Sequence, residues 1–187
     1  MKTFLLGGSK GFSMNDNRVI KLCCVRAYAL SPDLIFLFTL NPVKGADMAN
    51  PKKIVQPSDL PVRKSHSQVV AVTGGTLVFI AGMTSRSEKD ATPVHPGDMR
   101  AQLRQVCENI GRALRSIGGD YSDVVKTTTF TTDVEEYHRV NDERYRYFKT
   151  DLPTSALIGV VRLADPALMV EIECMAVIPT ERFKPTS

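Results

Sequence analysis

The sequence predicts an α+β fold: a mixed β-sheet with two helices packed on one face. Three observations carry this. Two stretches repeat their apolar residues with a helical period, and several shorter ones are β-branched and apolar. Their order along the chain is β-β-α-β-α-β-β, which suits one sheet layered with helices. The last two strands carry apolar residues on both faces, whereas two helices cover only one face of a sheet. The uncovered apolar face is therefore expected to pack against other subunits.

The elements follow in order. Ser67–Ala71 and Thr76–Ala81 are rich in Val, Ile and Phe and flank Gly74-Gly75, a hairpin signature. Gly82 ends the second run at a point where a backbone can be approached closely. Thr84–Gly97 is polar, contains Pro93 and Pro96, and reads as a loop. Asp98 caps a helix running to about Ile117, with Met99, Leu103, Val106, Ile110, Leu114 and Ile117 on one stripe, and Gly118-Gly119 ends it. Asp123–Thr132 is a β-branched strand. Val134–Thr150 is a second helix, with Tyr137, Asn141, Tyr145 and Phe148 on one face and Val140 beside them. Ser155–Leu163 and Leu168–Ile178 are the closing strands.

Composition sets bounds. The 187 residues are 43% hydrophobic and 24% charged, which suits one globular domain, or one domain with an extension, and argues against a chain disordered throughout. No apolar run reaches the roughly 18 residues of a membrane-spanning helix. The net charge of +4 divides into +3 over residues 1–47 and +1 over residues 48–187. The nearly neutral body shows no basic stripe with interleaved aromatics, so nucleic acid is not the expected partner. Of the cysteines, Cys23 and Cys24 are adjacent, and Cys107 and Cys174 fall in a helix and a strand. No metal-ligand spacing occurs, so no zinc site is expected, and free thiols fit a reducing cytoplasm. Residues 1–47 hold no sustained period, and Met48 opens an ordinary-looking start, Met-Ala-Asn-Pro-Lys-Lys. The first 47 residues are therefore expected to be a disordered extension or a mis-assigned start.

Few residues stand out chemically. Asn141 is an amide on an apolar helix face, where both its ends need partners. It either ties the structure or holds a ligand. Glu171 and Glu173 alternate with Val170, Ile172 and Cys174 on one strand. They either face solvent or pair with Lys126 or Arg162, or they lie at a subunit boundary, where a carboxylate can activate water. His66 precedes the first strand. Ser155 follows Pro153-Thr154 with no nucleophile-elbow context.

From about Ser65 to Ile178 the chain resembles the Rid (YjgF/YER057c/UK114) family. The carrying segments are Phe79-Ile80-Ala81-Gly82-Met83, Gln102 through Asn109-Ile110, Asp123-Val124-Val125-Lys126-Thr127-Thr128, Val140-Asn141, Tyr147-Phe148, Pro153-Thr154-Ser155, and Val170-Glu171-Ile172-Glu173-Cys174-Met175-Ala176. The resemblance implies that residues 48–187 form a single Rid-like domain of the chorismate-mutase-like fold. It also implies a homotrimer with ligand clefts between subunits, and hydrolysis of reactive enamines or imines without a cofactor. Under it, Glu171 and a backbone carbonyl near Gly82 hold the attacking water, Asn141 matches the helix asparagine, and His66 stands where an aromatic hydroxyl is expected. Thr154 and Ser155 fall in the substrate-binding segment.

The sequence departs from the family at Ser155, where an arginine that grips the substrate carboxylate is expected. A hydroxyl does not replace a bidentate guanidinium, and the loss is worth about 1.5–3 kcal/mol of binding. Either Arg86 supplies a grip from the loop after Gly82, or the substrate carries no carboxylate. The leading expectation is a hydrolase or deaminase acting on a small C–N substrate. The alternatives are a trimeric small-molecule-binding or regulatory protein and, with less support, a ribonuclease or translation inhibitor.

Overall fold

A computed structural model describes residues 51–185. Residues 1–47, with Cys23, Cys24 and the question of the Met48 start, lie outside the described residues. The described elements are β1 (Lys52–Val55), β2 (Val69–Val72), β3 (Thr76–Thr84), α1 (Met99–Arg115), β4 (Val124–Thr131), α2 (Val134–Val140), α3 (Asp142–Tyr145), β5 (Thr154–Gly159) and β6 (Val170–Ile178).

Four strands form the main sheet in the order β3-β6-β4-β5. β6 lies antiparallel to both β3 and β4, and β5 runs parallel to β4. A parallel neighbour requires a crossover, and α2 and α3 supply it. The helix-facing side of the sheet holds Ile80, Val124, Thr127, Thr129, Val170, Ile172, Cys174 and Ala176, all buried. α1 covers it with Met99, Leu103, Val106, Ile110 and Leu114 of the expected stripe, joined by Cys107. Asp98 caps α1 by accepting from Ala101 N, as a short acceptor at that position does. Gly118, at φ 79°, ends it. The fully buried Gln102 amide donates to the carbonyls of His95 and Ala167 and accepts from Met169 N, so it is satisfied and fixes the entry into β6.

The structure corrects several expectations. The Gly74-Gly75 turn has positive φ at both residues, but β2 and β3 do not form a hairpin: β2 pairs with β1, which the sequence reading missed, and β3 pairs with β6. A Cβ at Gly75 would meet Val177 at 2.7 Å and Pro51 at 3.3 Å, so the turn is a tight corner between two sheets. β1 is held by the buried Lys52 ammonium, which donates to the carbonyls of Ser122, Val124 and Asp151. The second helix is broken at Asn141 and ends at Tyr145. Its buried stripe runs Tyr137, Val140, Arg144, Phe148, whereas Tyr145 is 38% exposed. The closing strands start or stop inside their expected bounds, and Ile117 lies beyond the end of α1.

The other face of the sheet is open. Leu77 is 52%, Phe79 72% and Ile158 41% exposed on it. This is the uncovered apolar face that the strand pattern implies. No helix among the described residues is long and apolar enough to cross a membrane.

Candidate functional site

The site residues read from the sequence fall into two groups on opposite faces of the sheet. Register sets this. Thr127 is opposite both Cys174 and Ser155, and Thr129 is opposite Ile172, so these side chains face the helices. Lys126 and Thr128 face the other way, and so do Glu171 and Glu173.

On the helix side, His66, Asn141 and Ser155 do come together. They line a cavity of about 190 Å³ with Ser65, Thr129, Tyr137, His138, Arg144 and Leu157. The segment carrying His66 is stitched beside the start of β5: Ser67 N donates to the Pro153 carbonyl at 3.0 Å, and the Ser67 hydroxyl donates to the Leu152 carbonyl. His66 Nδ1 lies 2.9 Å from Ser65 Oγ. Asn141 Nδ2 donates to the Tyr145 hydroxyl at 3.2 Å, and its Oδ1 is buried without a partner. The Thr127 hydroxyl donates to Ser155 Oγ at 3.0 Å. Burial raises the Tyr137 phenol above its usual range; the adjacent Thr129 hydroxyl opposes this, yet its Oγ1 meets no partner at hydrogen-bond geometry.

Arg144 is the residue that sequence reasoning missed. It is 2% exposed. One terminal nitrogen donates to the Ser65 carbonyl at 3.2 Å, the other reaches Thr127 Oγ1 at 3.4 Å, and Nε is unpaired. The guanidinium carbon sits 4.6 Å from the Phe148 ring centre. A signal was available: Arg144 continues the stripe of Tyr137, Val140 and Phe148 at helical spacing. His138 is exposed and borders the same cavity.

On the open face, Glu171 and Gly82 come together. The ladder of β3 on β6 slips between Ile80 and Met83, a bulge that re-aims the backbone at Gly82. The Glu171 carboxylate lies over the space a Gly82 side chain would fill. Beside them, Phe79, Lys126, Thr128, Glu173 and Met175 line an open groove of about 410 Å³.

Two expected binding residues are otherwise engaged. The Arg86 guanidinium donates to the Ala91 carbonyl at 2.6 Å within its own loop. The Thr154 hydroxyl donates to the Val125 carbonyl at 3.1 Å, on the open side.

The chain has known relatives. Residues 58–178 match the family profile described as Endoribonuclease L-PSP. A RutC family protein of Synechocystis sp. is 33% identical over 130 residues, spanning 68% of this chain and 98% of the relative. The rat protein named 2-iminobutanoate/2-iminopropanoate deaminase is 29% identical over 127 residues, spanning 67% of this chain and 90% of its own length. A crystal structure of a Yersinia pestis protein of the conserved Rid family superposes with a TM-score of 0.64 at 25% identity, covering 69% of this chain and all of the other. The chain belongs to the Rid family, which the Endoribonuclease L-PSP profile describes.

Proposed function

We propose that this protein is a cofactor-independent hydrolase that converts a small imine or enamine to a carbonyl compound and ammonia, at sites built between the subunits of a homotrimer. The observation that carries this reading is the pairing of Glu171 with Gly82 on an apolar open face, while the cavity of His66, Asn141 and Ser155 lies behind the same sheet. A sheet separates the two groups within one chain, so they meet only if one subunit's cavity mouth docks against another's open face. Leu77, Phe79 and Ile158 give that face the apolar surface a subunit contact requires. Relatives named 2-iminobutanoate/2-iminopropanoate deaminase, from rat, cow and human at 29%, 31% and 30% identity, support the reaction class.

The chemistry needs little machinery. An imine carbon is already electrophilic, so the protein has to hold water against it and move protons. Glu171 and the Gly82 carbonyl hold the water. As its oxygen bonds to the imine carbon, the C=N π pair moves to nitrogen and Glu171 takes a water proton. The protonated carboxyl then returns the proton to nitrogen. The carboxylate then takes the proton of the new hydroxyl and passes it to nitrogen, the C–N bond breaks as the carbonyl forms, and ammonia leaves. His66, Asn141 and Ser155 shape the pocket and orient the nitrogen.

Subunit mixing tests this. Glu171→Gln and Asn141→Ala are each expected to lose most activity on 2-imino acids generated in situ by an amino-acid oxidase. If each site draws Glu171 from one subunit and Asn141 from its neighbour, random co-assembly of the two variants restores about a quarter of the sites. No recovery from mixed trimers, when each variant alone is dead, would place both residues in one chain and overturn the composite site. A wild-type protein that accelerates no imine's decay would favour a second reading, a small-molecule-binding protein of the same fold. Ser155, standing at the expected arginine position, is the observation on its side.

A further inference from the structure

Three buried side-chain polar atoms find no hydrogen-bond partner among the described residues: Thr129 Oγ1, Asn141 Oδ1 and Arg144 Nε. All three belong to residues lining the one 190 Å³ cavity. Folded proteins leave few such atoms, and their gathering around a single cavity points to a polar guest.

Arg144 says which kind. Its neighbour Glu143, equally buried, is surrounded by Arg100, Arg104 and Arg146. Arg144 turns inward and forms no ion pair among the described residues. Its contacts are a carbonyl, a hydroxyl and an aromatic face, all neutral. A guanidinium does not shed its proton, so a full positive charge stands uncompensated in the cavity wall. The Thr127 hydroxyl joins Arg144 to Ser155, which places that charge one hydroxyl away from the strand position where the arginine is missing.

We propose that Arg144 is the anion grip of this site: it recognises the carboxylate of a small 2-imino or 2-oxo acid from helix α3, in place of an arginine at position 155. The inference rests on the hydrolase reading for the location of the site and adds the substrate's charge and the residue that reads it. The Asn141 carbonyl oxygen accepts the N–H that such an imine carries. The cavity volume, about six waters at about 30 Å³ each, suits a short side chain.

Calorimetric titration of the full-length protein tests this without depending on catalysis. The probes are 2-oxobutanoate and its uncharged methyl ester. Wild type is expected to bind the acid, and Arg144→Gln to weaken it on the order of ten- to a hundredfold, the value of a charge-assisted pair. The ester should bind both proteins alike. Arg144→Lys should keep part of the affinity, and adding Ser155→Arg to Arg144→Gln should recover the acid selectively. Equal loss of acid and ester, together with a lower melting temperature in Arg144→Lys as well as Arg144→Gln, would mark a structural arginine and overturn the proposal. So would an unchanged acid affinity in Arg144→Gln, or no binding of the acid by wild type. The hydrolase reading fails separately, by the absence of any imine hydrolysis or of recovery in mixed trimers.

Discussion

Replacing Gly82 by alanine separates a positioning role from a packing role. A Cβ there would overlap the Glu171 carboxylate oxygen and lie 2.7 Å from its Cδ and 3.1 Å from its Cγ. All three atoms belong to one side chain, half-buried at the edge of the open face, so the clash is relieved by rotating Glu171 rather than moving backbone. Gly82 also has no positive φ that alanine would strain. The stability change should therefore stay within about 1 kcal/mol, and the reduced freedom of the unfolded chain offsets part of it. A melting shift of no more than about 4 °C follows. The carboxylate, however, moves by more than an ångström, and misplacement on that scale lowers a catalysed rate by about a hundredfold. The assay is imine hydrolysis followed by ammonia release, with thermal melting alongside. The double variant Gly82→Ala/Glu171→Gln should be no slower than Glu171→Gln alone, because both changes act through one group. Full activity in a normally folded Gly82→Ala would refute the idea that this contact sets the position of Glu171.

Three further outcomes are expected. Phe79→Asp, at a position 72% exposed on the open face, should shift the protein from trimer to monomer in light scattering while its circular dichroism is kept; an unchanged mass would remove that face from the interface. The Arg104 guanidinium, and then that of Arg146, hold the Glu143 carboxyl below its ordinary value against the opposing effect of burial, so its contribution is present above about pH 4.5 and lost as pH falls through the depressed folded value. Glu143→Gln should cost about 1–2 kcal/mol in denaturant titrations at pH 7, with the gap to wild type closing toward pH 3. Burial pushes the Cys107 and Cys174 thiols up to about 12, so peptide mapping after iodoacetamide at pH 7.5 should find both unmodified in the native protein and modified after unfolding.

Where a signal was periodic and one-sided, the sequence read correctly. The α1 stripe and its Asp98 cap were legible because one face of a long helix packs against one sheet. The open apolar face was legible because the closing strands carry more apolar residues than two helices can cover. The hairpin between β2 and β3 failed for a physical reason. Two glycines specify a reversal of the chain but not which strands pair on either side, and β1, opened by a lysine, competes for β2 across a distance no local pattern reports. The second helix failed differently. A stripe through Asn141 and Tyr145 is as periodic as one through Val140 and Arg144, and the sequence reading preferred the first. That preference hid Arg144, whose burial is what makes it informative.

The site was legible as a set of residues but not as a shape. Alternation along β4, β5 and β6 already assigns Ser155 and Glu171 to opposite faces once register is known, yet register is not written in any one strand. The division has a consequence for how the protein works. A single chain holds the Glu171 carboxylate on the open face and the cavity of His66, Asn141 and Ser155 behind the sheet, so under the proposed composite site an isolated subunit lacks one of the two groups. Under that reading, association does more than bury Phe79 and Leu77. It closes water out of the groove around Glu171. It also brings that carboxyl to the substrate cavity of its neighbour. Assembly and activity should accordingly be lost together along a dilution series, and the activity lost by Phe79→Asp should track the fraction of monomer rather than any change within the cavity.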